Sequence, residues 1–127
     1  MQLKKRGTMF EAHDIANMQI ELDGIDYKIE KLGDSWSEKN EIADNFDKLR
    51  ESIYSGIFLQ YRDANPKQSA AVIEAMAKAS QQYIGHINSI TMSRKEANDA
   101  KVSYDALKGR RETLRSLLSM VKEQLKM

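Results

Sequence analysis

The sequence predicts an all-α protein, an elongated helical hairpin or three-helix bundle with a long C-terminal coiled-coil-like helix. Three observations predict it. Apolar residues recur at steps of three and four from Ile15 to Leu32, and again from Ala97 to Leu125. Nothing alternates with the period of two that a half-buried strand requires. Aromatic residues make up 7% of the 127 residues and there is one proline, a composition suited to helices rather than sheets.

The length fits one domain with a modest core, so residues 1–127 are read as a single helical domain. Residues 1–10 read as a flexible arm. A first helix is expected over 11–32, with Ile15, Met18, Leu22, Ile25, Ile29 and Leu32 forming its seam. Gly24 inside it costs about 1 kcal/mol relative to alanine, so packing must hold this helix. Gly33 then stands where a glycine ends a helix. Ser35-Trp36-Ser37-Glu38 reads as a capping box opening a second helix over 35–63, with Ile42, Phe46, Leu49, Ile53 and Ile57 on one face. Asn65-Pro66 closes it and supplies an N-cap and first-turn proline for a third helix over 66–78. That alanine-rich segment carries Val72, Ile73 and Met76 on one face. Whether it breaks near Ser80 is left open. The last helix, 80–126, carries the seam Ala97, Ala100, Tyr104, Leu107, Arg111, Leu114, Leu118, Val121 and Leu125.

Length argues for a partner. A helix over 80–126 spans roughly 70 Å, the second only roughly 43 Å. A bundle of these lengths leaves part of the last seam uncovered. Tyr104, Leu107, Leu114, Leu118, Val121 and Leu125 are therefore expected to form the seam of a homo-oligomer.

The net charge of +1 conceals a segregation. Residues 1–13 carry +2, 14–63 carry −6, 64–92 carry +1 and 93–127 carry +4. Such a division implies internal pairing or an electrostatic site at one end. Arg94, Lys101, Lys108, Arg115 and Lys122 follow one another at intervals of seven, about 10.5 Å apart along one helix edge. With Leu107 and Leu114 at d, all five fall at e. One reading is a track for single-stranded DNA, widened by Arg110 and Arg111. The other, which the acidic front half favours, is that these cations flank a seam and pair with Glu21, Asp26 or Glu30. Arg111 sits at an a position, where a charge must snorkel or meet a carboxylate; it is read as setting the register of an oligomer seam.

Other chemistry finds little support. Tyr54, Tyr61, Tyr83, Tyr104, Trp36 and Phe58 lie at or beside seam positions, which points to core packing rather than base stacking. His13 and His86 lack metal-motif spacing, and Asp23, Gly24 and Asp26 do not complete a calcium loop. There is no cysteine, hence no thiolate site or disulfide. No catalytic residue, metal site or cofactor is assigned, and an enzyme is not expected. The seven methionines fit adaptable packing or a surface that re-packs against partners. No run of about 18 apolar residues is present, so no membrane span is expected. The basic start Met1–Gly7 lacks the apolar stretch of a signal peptide, so a cytoplasmic location is expected.

Leu49 to Arg62 (LRESIYSGIFLQYR) and the pattern AxxAxVxYxALKxRxExLRSLLSxxK from Ala97 to Lys122 carry a resemblance. Over roughly residues 40–127 the chain resembles small helical proteins of tailed phages and prophages, encoded beside single-strand annealing recombinases, single-strand binding proteins and nucleases. The resemblance implies an accessory protein of DNA recombination or replication in the host cytoplasm, acting through a phage recombination protein or a host protein. The alternatives are a phage inhibitor of a host nuclease or defence complex, and a structural coiled coil. Residues 1–35 lie outside the resemblance.

Overall fold

The apolar seam that opens the chain continues past its expected stop. In the computed structural model, which describes residues 11–126, the first helix α1 runs from Ala12 to Lys48 without interruption. Helices α2 (Arg50–Ala64), α3 (Ala70–Ala79) and α4 (Gln81–Lys126) follow, and no strand occurs among the described residues. The all-α class and the long C-terminal helix are as the periodicity predicts. The arm over 1–10 lies outside the described residues.

The predicted stop at Gly33 is corrected. A Cβ on Gly33 would meet Cε2 of Tyr104 at 3.1 Å, and the glycine backbone is not in the left-handed region that a helix-ending glycine adopts. Gly33 is there for close approach, not for chain reversal. The Ser35-Trp36-Ser37-Glu38 capping box accordingly lies inside α1 and caps nothing. The real discontinuity is the single residue Leu49, with φ −81° and ψ −9°. Hydrogen bonds persist across it, from Leu49 N to Asn45 O at 3.2 Å and from Ile53 N to Leu49 O at 2.9 Å.

The later boundaries move for reasons of capping. Asn65 terminates α2, its side-chain amide donating to the Tyr61 carbonyl at 2.9 Å, instead of starting α3. Ser69 is the N-cap of α3, its hydroxyl accepting from Val72 N at 3.3 Å. Ser80 does break the chain between α3 and α4. Its extended backbone (φ −67°, ψ 146°) ends α3. Its hydroxyl donates to the Ala77 carbonyl at 2.7 Å and accepts from Tyr83 N at 3.2 Å.

The expected single domain resolves into two compact units, to which α1 and α4 both contribute. Among the described residues, unit 1 holds 11–35 and 100–126, and unit 2 holds 36–99. In unit 1 the start of α1 lies antiparallel to the end of α4, with Glu21 opposite Arg110 and Gly33 opposite Tyr104. Its core is Met18, Ile25, Ile29, Leu114 and Leu118, with Ile15, Leu22, Tyr104, Leu107 and Leu117 packed around them. This is the seam the sequence shows, closed within one chain. Leu114, Leu118 and Val121 are buried, so the premise that this stretch lies uncovered is corrected; Leu114 and Leu118 share a core with Met18, Ile25 and Ile29 of α1. Leu125 alone of the six predicted seam residues is exposed.

In unit 2, α2 and α3 pack against each other, and Ala43, Ile57, Ile73, Ala77 and Ala97 are buried. Ile42, Leu49 and Val72, expected on inward faces, are exposed, while Ala43 and Ile73 beside two of them are buried. Phe46 meets the His86 ring edge-on at 6.0 Å, and His86 Nε2 donates to the Phe46 carbonyl at 3.0 Å, a boundary histidine in a structural role.

The Gly33–Tyr104 contact has a measurable sign. Gly33→Ala should be neutral or destabilising in the natural chain. In a Tyr104→Ala background it should stabilise by about 1 kcal/mol, the helix-propensity gain of alanine over glycine. Urea denaturation of the four variants measures this; equal stabilisation in both backgrounds would show that the close approach has no energetic weight.

Candidate functional site

The basic edge of α4 is divided by the fold. Arg94 belongs to unit 2, whereas Lys101, Lys108, Arg111, Arg115 and Lys122 belong to unit 1. In unit 2 the Arg94 guanidinium donates to Asn40 Oδ1 at 2.9 Å and to Asp44 Oδ1 at 2.6 Å. One turn of α1 thus supplies both acceptors, because Asn40 and Asp44 are four residues apart on one face.

In unit 1 the closest pairs are made by Arg110 and Arg111 rather than by the five-residue stripe. Arg110 grips Glu21 with two hydrogen bonds, Nε to Oε2 at 2.7 Å and Nη2 to Oε1 at 3.0 Å. This two-pronged geometry matches the flat guanidinium to the flat carboxylate. Arg111 Nη1 donates to Asp26 Oδ1 at 3.0 Å, and its Nε lies 3.4 Å from Glu112 Oε1. The a-position arginine therefore meets a carboxylate of its own chain. Two of the three acids named from the sequence, Glu21 and Asp26, act as internal partners.

The remaining cations are variously engaged. Lys108 Nζ lies 5.1 Å from the centre of the Tyr104 ring, and Arg115 Nη1 is 3.3 Å from Glu112. Arg115 and Lys122 reach one shallow cleft of about 420 Å³, lined also by Gln19, Leu22 and Ser119. Glu123 lies in the same cleft, so its field is mixed. The balance is close throughout. Residues 11–35 and 100–126 carry ten carboxylates against nine Lys and Arg, and residues 36–99 carry nine against eight. Among the described residues no group of three His, Asp or Glu comes together to hold a metal. No helix there is long and apolar enough to cross a membrane.

The aromatic residues behave as their seam positions predict. Tyr54, Phe58, Tyr61, Tyr83, Tyr104 and Trp36 are all half-buried. In unit 2 the Tyr54 ring stands edge-on to Tyr83 at 5.7 Å and tilted against Phe58 at 6.2 Å, with Lys78 Nζ 6.0 Å from its centre. Lys78 is tied to Glu74 at 2.8 Å, and this hydrogen bond first, then the Glu74 charge, raises its pKa.

One surface escaped the seam-based reading. On the side of α4 away from the unit 1 core, Val102, Ala106, Gly109, Thr113, Ser116 and Met120 follow at steps of four and three, and all are exposed. These steps keep them on one helix face, about 27 Å long. The face carries no charge, and its ends are large apolar side chains, Val102 at 67% and Met120 at 48% exposure. On α1 of the same unit, Ile20 and Tyr27 are 69% and 65% exposed, one heptad apart. A helical-wheel reading of the residues opposite the seam is the signal that finds them. No family model, no curated protein and no solved structure matches this chain.

The Glu21–Arg110 pair gives this site a pH signature. The Arg110 hydrogen bond, helped by the charges of Arg110 and Lys28 and opposed by desolvation, holds the Glu21 pKa below its ordinary value. A carboxyl with a lowered folded-state pKa contributes stability that is full above its unfolded value and is lost as pH falls through the lowered one. Urea midpoints of the natural chain and Glu21→Gln, compared across the acid range, should differ near neutrality and converge below the glutamate range. A constant difference at all pH values would exclude the ion pair as its source.

Proposed function

We propose that this chain is a non-enzymatic accessory protein that works by protein–protein contact, in the setting of phage or prophage DNA recombination or replication. The carrying observation is the uncharged, exposed face from Val102 to Met120 on a helix otherwise rich in charge. Isolated exposed apolar residues are ordinary on soluble proteins. A face of six successive uncharged positions framed by large apolar ends is the kind of surface that contacts another protein. The setting comes from the resemblance over residues 40–127 and from it alone.

The pairing of the basic edge supports protein contact over a nucleic-acid track. Affinity for a phosphate backbone comes from cations that neutralise phosphates and release counterions. Arg94, Arg110 and Arg111 already neutralise Asp44, Glu21 and Asp26. A phosphate would have to displace these carboxylates. Lys101, Lys108, Arg115 and Lys122 are the stripe residues outside those three pairs, with Glu112 and Glu123 beside them.

A fluorescently labelled single-stranded oligonucleotide tests the reading at about 50 mM salt, where electrostatic binding is strongest. No saturable binding is expected. Saturable binding that disappears in Lys108→Glu/Arg115→Glu and weakens steeply with added salt would establish the stripe as a DNA track instead.

A further inference from the structure

Ion pairs close the border of the unit 1 seam at Arg110 and Arg111, which are held by Glu21 and Asp26 of α1. Arg115 and Lys122 follow Arg111 at steps of four and seven, which keeps them on the same side of α4. There the border opens into the cleft of about 420 Å³, and the α1 residues that line it are Gln19 and Leu22. We propose that this cleft takes an acidic amphipathic helix of another protein, with carboxylates two turns apart on Arg115 and Lys122 and an apolar side chain between them. The proposal goes beyond the protein-contact reading, because it concerns a different surface from the uncharged face of α4.

Charge is the first argument. Before the cleft α1 supplies a carboxylate to each arginine; within the cleft it supplies none. Gln19 stands there instead, and its amide donates to Asp23 Oδ1 at 2.8 Å, which engages that acid. Among the described residues Lys122 makes no ion pair, and Arg115 meets only Glu112 of its own helix, at 3.3 Å. Both members of that pair are more than half exposed, so it contributes little and is open to exchange. Two cations and one acid, Glu123, line the cleft, which leaves it net positive. Glu123 adds selectivity. A phosphate backbone carries its charge evenly and meets this carboxylate too, whereas a helix can set acids on the two cations and a neutral or basic residue beside Glu123.

Spacing and shape give the second argument. Arg115 and Lys122 are two turns apart, about 10.5 Å along α4, and residues i and i+7 of a helix laid beside it have the same separation. Between them Ser119 is small, exposed and uncharged, and the half-buried Leu22 with the edge of Leu118 forms the floor. Among the described residues unit 1 holds two helices, and the flank of such a pair is the groove that a third helix fills in a bundle. The apolar floor is small. Complementary charge therefore sets the partner's orientation and the rate of encounter, and the contact weakens with added salt.

Selection of displayed helical peptides against the full chain at low salt tests this. Binders should be enriched in Asp or Glu at positions seven apart, with a large apolar residue between them. Arg115→Glu/Lys122→Glu should weaken those binders about tenfold or more, and should itself select Lys or Arg at the same positions. Both side chains are exposed, so circular dichroism should show unchanged helix content. Gln19→Glu puts a carboxylate of the chain itself into the cleft and should weaken the same peptides about tenfold, by competing for the two cations. An excess of single-stranded oligonucleotide should not displace them. Selection without paired acids overturns the proposal, as do binders indifferent to either variant. Displacement by the oligonucleotide overturns it too and gives the cleft to nucleic acid. If the peptides fail and no oligonucleotide binds, the protein-contact reading stands on the face from Val102 to Met120, so the two fail separately.

Discussion

The close approach of Tyr104 to Gly33 governs how α1 and α4 share the core of unit 1. A Cβ at position 33 would come within 3.1 Å of the Tyr104 ring, so the ring would have to give by a few tenths of an ångström. With the ring seated, Ile25 and Ile29 on α1 reach Leu114 and Leu118 on α4 in one core. The ion pairs follow from the same register. Asp26 falls within reach of Arg111, and Glu21 within reach of Arg110. Burial of the seam supplies the driving force; the solvent-exposed charged pairs at its borders fit that alignment and add little to it.

That contact also marks where sequence reading succeeds and where it cannot. The seam residues of α1 and the C-terminal half of α4 were legible because a repeat of three and four over several turns has one physical meaning. Gly33 was misread because local rules assign a glycine after an apolar run to a helix end, while the deciding neighbour, Tyr104, is 71 positions away in the chain. Asn65 shows the same ambiguity at short range. Its amide can serve the helix before it or the one after it, and here it answers the Tyr61 carbonyl while Ser69 caps the next helix. In unit 2 Ala43 is buried and its neighbour Ile42 exposed, a rotation of the buried face by one residue that periodicity alone does not fix.

Charge was legible as a quantity and not as a set of partners. The sequence shows an acidic front and a basic end, and internal pairing was one of the two meanings that division allows. The fold realises it through Glu21 and Asp26, as the sequence named them. Their partners are Arg110 and Arg111, which interrupt the heptad stripe, and of the stripe itself Arg94 pairs with Asp44. A stripe at intervals of seven catches the eye because it is regular. Pairing depends instead on which side of the seam a residue flanks and how far its side chain reaches, and the adjacent arginines lie nearer the facing helix.

The regular stripe keeps a role once the seam is closed within the chain. Regularity on a helix surface has no bearing on the stability of that helix alone, beyond weak contacts three and four residues apart such as Glu112 with Arg115. It acquires meaning only against something equally regular. A nucleic-acid backbone is one such object, and a second helix is another. The interleaved acids at Asp105 and Glu112 weigh against the first, since they repel a phosphate backbone.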